Sequence, residues 1–127
     1  MKGIFIGIIL LLAVILTFSM YMYHLTSEIS EDLFSNLEEL KKKVEEEQWS
    51  ETALCLEDLS KNWNRADSWW TPLMDHRELD LLDQTIVRIE GLVRQYRRED
   101  ALVEIKVAGR LIERVLERES VSIKNIF

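Results

Sequence analysis

The chain has 127 residues, room for one domain at most, and its 23 acidic against 16 basic residues give a net charge of −7. A chain this acidic repels phosphate backbones, which argues against nucleic acid as a partner. A single cysteine excludes an internal disulfide and a cysteine-built metal cage. Four glycines and one proline are too little turn punctuation for many short strands, so the composition predicts an all-α fold.

From Gly3 to Ser27 there is no Asp, Glu, Lys or Arg, and Ile4 to Leu16 is almost solid Ile, Leu, Val and Phe. About 20 such residues rise roughly 30 Å as a helix, the thickness of a bilayer's hydrocarbon core. Lys2 precedes the segment, and Glu28, Glu31 and Asp32 follow it. The positive-inside bias then puts the N-terminus in the cytoplasm and the rest of the chain outside, with Tyr21 and Tyr23 as an interfacial belt. The expectation is a single-pass protein of the cell membrane. Residues 1–25 form a transmembrane signal anchor that holds the bilayer through residues 3–23, and residues 26–127 form an extracytoplasmic helical bundle. A cleaved signal peptide is the alternative, with Thr17 and Ser19 as the small residues of a cleavage site. The apolar run continues past Ser19 through Met22, which favours the anchor.

Leu25, Ile29, Leu33, Leu37, Leu40 and Val44 recur at helical steps and predict an amphipathic helix to about Glu47, continuous with the apolar segment. Lys41 to Lys43 and Glu45 to Glu47 read as its solvated face. Ser50 is the expected N-cap of a second helix, with Trp49 and Leu54 as a hydrophobic staple. That helix is expected to bury Ala53, Leu56, Leu59 or Ser60, Trp63, Ala66 and Trp70, with Cys55 an inert thiol at the stripe's edge. A turn around Thr71 to Asp75 follows, then a third helix from His76 with Leu79, Leu82, Ile86, Ile89, Val93 and Tyr96 inward. A turn at Arg97 to Asp100 leads into a fourth helix, which buries Ala101, Ile105, Ala108, Ile112 and Val115 and ends at Ser120. The tail Val121, Ile123, Ile126 and Phe127 is expected to pack back on the bundle.

Leu33, Leu37, Leu40 and Val44 fall on Leu82, Ile86, Ile89 and Val93 at an offset of 49, and Ala53 falls on Ala101 at 48. Two similar helical hairpins are therefore expected, the second with a turn one residue shorter. They form either an antiparallel bundle of about four helices or, as the alternative, a minimal pair of TPR-like units. The residue set of a full tetratricopeptide repeat is missing, which favours the bundle.

The junction between the hairpins, Trp63 to Asp83, holds three of the four tryptophans and the lone proline. Trp69 and Trp70 are adjacent, about a hundred degrees apart on a helix, so both cannot enter one core. At least one is expected to cover the junction or meet a partner, and Trp63, Trp69, Trp70 and Asp75 are the candidate partner-binding residues. His76, Asp80 and Asp83 share a helix face at i, i+4 and i+7, the spacing of a divalent-ion site, and are the candidate metal ligands of an alternative sensing function. Acidic residues in a helix's first turns are also what its dipole favours. No nucleophile, glycine-rich loop or oxyanion donor accompanies them, so neither enzyme activity nor a cofactor is expected.

With its N-terminal membrane segment, then QWSETALCLEDLSKNW, then WWTPLMDHRELDLLDQTIVRIEGLV, then an acidic, Ala-containing last helix, the chain resembles domain-of-unknown-function family 4363 of Firmicutes. The resemblance spans nearly the whole chain and is most specific over Trp63 to Asp80. It implies a small membrane-anchored or exported helical protein with no assigned activity, often encoded beside a multi-spanning membrane protein, which points to a complex. The combined expectation is a membrane-tethered interaction protein or accessory subunit whose partner is an integral membrane protein.

Overall fold

The computed structural model describes the backbone of residues 1–126 and the side chains of residues 1–117. The described residues form four helices, α1 (Lys2–Glu45), α2 (Trp49–Trp70), α3 (His76–Arg94) and α4 (Arg98–Ile126). No glycine or proline falls between Ile8 and Glu45, so nothing interrupts the hydrogen-bond ladder of α1. Its 44 residues rise about 66 Å. The helix has two unlike halves. Ile4 to Phe18 leaves its large apolar side chains exposed, apart from a half-buried Leu16, whereas Leu25, Ile29, Leu33, Leu37, Leu40 and Val44 are buried as the stripe predicts. Among the described residues one helix, α1, is long and apolar enough to cross a membrane.

The lower-numbered half of α1 stands alone, and its other half joins α2, α3 and α4 in a ring. Neighbours pack as α1 with α2, α1 with α4, and α3 with α4, while α2 and α3 meet less closely. The α1–α4 packing closes the bundle, which stacked TPR-like units would not do. Inter-helix pairs set the register. Arg65 of α2 faces Asp32 of α1 at 3.6 Å, and Lys43 of α1 pairs with Glu51 of α2 at 2.6 Å. Arg98 at the start of α4 donates from Nε to the Glu45 carbonyl at 3.2 Å, and Arg88 of α3 faces Glu104 of α4 at 3.3 Å. The α2–α3 turn therefore lies beside the beginning of α1's buried stripe. The other two turns share the opposite end.

Those two turns are copies. Glu47 (φ 55) and Tyr96 (φ 59) are left-handed. Each is flanked by the paired bonds of a Schellman motif: Gln48 N–H to the Lys43 carbonyl with Glu47 N–H to Val44, and Arg97 N–H to Leu92 with Tyr96 N–H to Val93. The repeat is thus more regular than the sequence suggests. Thr52, not Ala53, is the counterpart of Ala101, and the offset of 49 runs on through Leu56 and Ile105, Leu59 and Ala108, and Trp63 and Ile112. The second turn is not shortened.

Five further expectations are corrected. The Gln48 carbonyl accepts from Glu51 N–H and Thr52 N–H, so Gln48 rather than Ser50 stands at the N-cap of α2. With that shift Ala53 is exposed and Thr52 is buried, its Oγ1 donating to the Trp49 carbonyl at 2.6 Å. The staple does not form: Leu54 is 66% exposed, and Trp49 instead meets Tyr96 edge to face at 5.4 Å. Tyr96 consequently lies in the turn, exposed, rather than in the stripe of α3. Helix α4 passes through Ser120 to Ile126, because a serine without a nearby glycine or proline costs a helix only a few tenths of a kcal/mol. The expected packing of Val121, Ile123, Ile126 and Phe127 lies outside the residues whose side chains are described.

Candidate functional site

The junction is built from the last turns of α2, a five-residue turn and the first turns of α3. Trp63 and Trp70 are two turns apart on the inner face of α2, and their rings meet edge to face at 6.5 Å and 67°. The Trp63 Nε1–H donates to Asp83 Oδ1 at 2.8 Å, a bond that ties α2 to α3 where they otherwise pack loosely. Trp70 is fully buried, and its indole N–H finds no hydrogen-bond partner among the described residues. Trp69 is 45% exposed, so the adjacent pair divides between inside and outside as the helical angle requires.

After Trp70 the chain curls back on its own helix end. The Leu73 and Met74 N–H groups both donate to the Trp70 carbonyl at 2.9 Å, and the Thr71 hydroxyl donates to the Asp67 carbonyl at 2.6 Å. Met74 packs against the core, while Leu73 is 50% exposed beside Pro72. Asp75 then caps α3, its carboxylate accepting from Arg77 N–H at 3.0 Å, and α3 starts at His76 as the sequence predicts. Asp75 thus has a structural task that accounts for its presence at that position.

His76, Asp80 and Asp83 all lie on exposed positions of α3. Among the described residues no group of three His, Cys, Asp or Glu side chains is gathered as a metal ion would need. The Asp83 carboxylate is already engaged by Trp63. Cys55 is buried, and burial together with the charge of Glu39 pushes its thiol up from the ordinary 9.0, away from the thiolate that nucleophilic chemistry needs. A groove of ≈ 560 Å³ runs between α2 and α3 at the far end, walled by Trp49, Leu56, Val93 and Tyr96. It shares no residue with the junction.

The sequence pattern of the family described as "Domain of unknown function (DUF4363)" matches residues 20–126. The chain belongs to that family. The match begins inside the apolar segment of α1 and takes in the whole bundle, so the four-helix ring with its junction is the family domain of this chain. No curated protein and no solved structure matches the chain.

Two features of the junction escape sequence reasoning. The Trp63–Asp83 bond joins residues on different helices, which a one-helix spacing argument cannot see. Leu73 reads as one more apolar residue near a turn, and only the curl of residues 71–74 back onto Trp70 shows that it points away from the core. A signal for it exists: the residue after a helix-ending proline has little chance of joining either stripe.

Proposed function

We propose that this chain is a non-catalytic, membrane-tethered accessory protein: residues 3–23 of α1 span the cell membrane with the N-terminus in the cytoplasm, and the bundle outside docks on an integral membrane protein. The observation that carries this reading is the continuity of α1. A helix half with its apolar side chains exposed runs without interruption into a helix half buried in the bundle, which holds the bundle against the surface from which α1 emerges. Exposed large apolar side chains over that length are at home in lipid. The partner side is supported by Trp69, an indole exposed at the bundle end that adjoins the apolar half, where amphipathic aromatic residues serve as contact anchors.

Photo-crosslinking in native membranes tests the partner. An amber-encoded crosslinker at position 69 is expected to trap one defined integral membrane protein, whereas the same group at the exposed position 54, at the far end, traps none. Equal patterns from the two positions, or no adduct from position 69, would sink the docking surface.

A further inference from the structure

We infer that the α2–α3 turn is a second membrane contact, with Trp69 and Leu73 resting in the headgroup region of the leaflet from which α1 emerges. The inference rests on the anchor in the reading above and not on its protein partner.

The geometry follows from the antiparallel register of α1 and α2. Arg65 lies opposite Asp32, and Lys43 pairs with Glu51, so each step along α2 lies one step earlier along α1. By that register Trp69 and Trp70 lie level with residues 28 and 27 or so, about one helical turn or ~6 Å from Tyr23. Tyr23 and Tyr21 close the apolar segment and are themselves exposed. The turn beyond Trp70 therefore occupies the layer in which the tyrosines end the hydrocarbon span.

Its chemistry suits that layer. Trp69 is 45% exposed and Leu73 is 50% exposed, an amphipathic indole and an aliphatic side chain on one short turn. Indoles concentrate at the membrane–water boundary because the ring is apolar and its N–H is wet. Asp67, Asp75, Arg77 and Glu78 surround the turn and keep it from sinking further. Their acidic balance selects zwitterionic over anionic headgroups. At the far end, by contrast, exposed Leu54 and Tyr96 stand a bundle length from the membrane, so exposure of apolar groups alone does not make this surface.

The test uses the full chain reconstituted in phosphatidylcholine vesicles, with no other protein present. Lipids brominated near the headgroup end of the acyl chain should quench part of the tryptophan emission. Trp69→Phe should abolish most of that quenchable part and leave the melting transition unchanged. Aqueous iodide should reach Trp69 poorly in vesicles and readily in detergent after Leu73→Asn. Replacing a third of the lipid by phosphatidylglycerol should reduce the bromolipid effect. If quenching is the same in Trp69→Phe, or if iodide reaches Trp69 in vesicles as freely as it reaches an exposed indole, the turn is in water and the inference fails. A crosslink from position 69 to a membrane protein, with no lipid quenching, would assign Trp69 to that partner alone.

Discussion

Neighbouring tryptophans at 69 and 70 have opposite energetics. Truncating a fully buried aromatic costs about 3–5 kcal/mol, and Trp70 is such a residue, so Trp70→Ala should bring the bundle close to unfolding in a urea titration. Trp69→Ala should move the midpoint by less than about 0.5 kcal/mol, as surface changes usually do. Polar detail separates the two inner indoles as well. Trp63 has a partner for its N–H in Asp83 and Trp70 has none among the described residues, so Trp63→Phe should cost about 1 kcal/mol more than Trp70→Phe. Equal losses would mean that the Trp63–Asp83 bond contributes nothing.

Cys55 gives a pH prediction at the same scale. Burial raises its pKa above 9.0 in the folded chain. Between 9.0 and that raised value the unfolded chain has lost the proton and the folded chain has kept it, so stability from this group is complete below 9.0 and falls as pH rises. Lys43 adds in the same direction: its bond to Glu51 raises it above 10.5, and its contribution disappears as pH climbs through the raised value. Urea midpoints should therefore decline above pH 9, less steeply in Cys55→Ala. Native Cys55 should react with a thiol reagent at least ~10-fold more slowly than in denaturant.

At the scale of elements, the two Schellman turns put non-glycine residues in the left-handed region, at a cost of about 1 kcal/mol each. Glu47→Gly should raise stability by up to that amount in a denaturant titration. Tyr96→Gly should not, because it also forfeits the edge contact with Trp49, worth about 0.5–1.5 kcal/mol. These turns also explain what the sequence conceals. The inward stripes of α1, α3 and α4 are legible because burial against one core imposes a 3.6-residue period over several turns. The start of α2 is not. A glycine at position 47 would have marked the turn, but Glu47 stands there, so Ser50 attracts the capping role and Ala53 the inward one. Thr52 can be buried only because its hydroxyl bonds back to Trp49, a local satisfaction that a hydrophobic pattern does not register. At the junction the divergence of Trp69 and Trp70 was legible from helix geometry and the Asp75 cap from residue type. The Trp63–Asp83 tie was not, since it depends on how two helices face each other.

For the whole molecule, the buried set begins at Leu25, so the core does not draw on the apolar half of α1. A fragment from His24 onward should fold cooperatively in water and keep the urea midpoint of the full chain in detergent. A lower midpoint would show that the apolar half stabilises the bundle beyond tethering it. The acidic surface that argues against nucleic acid also gives such a fragment the charge to stay dispersed.

The unbroken α1 has a mechanical consequence. With no glycine or proline hinge between the apolar half and the bundle, the two move as one lever, and with the apolar half in the membrane as proposed above its fulcrum is the lipid boundary. The bundle portion of α1, Leu25 to Glu45, is about 30 Å long. A change in bilayer thickness that tilts the span by some 10° would sweep the Glu47 and Tyr96 turns sideways by roughly 5 Å, on that 30 Å arm. In that proposed arrangement the rod would carry a change in membrane tilt to its tip without any internal rearrangement.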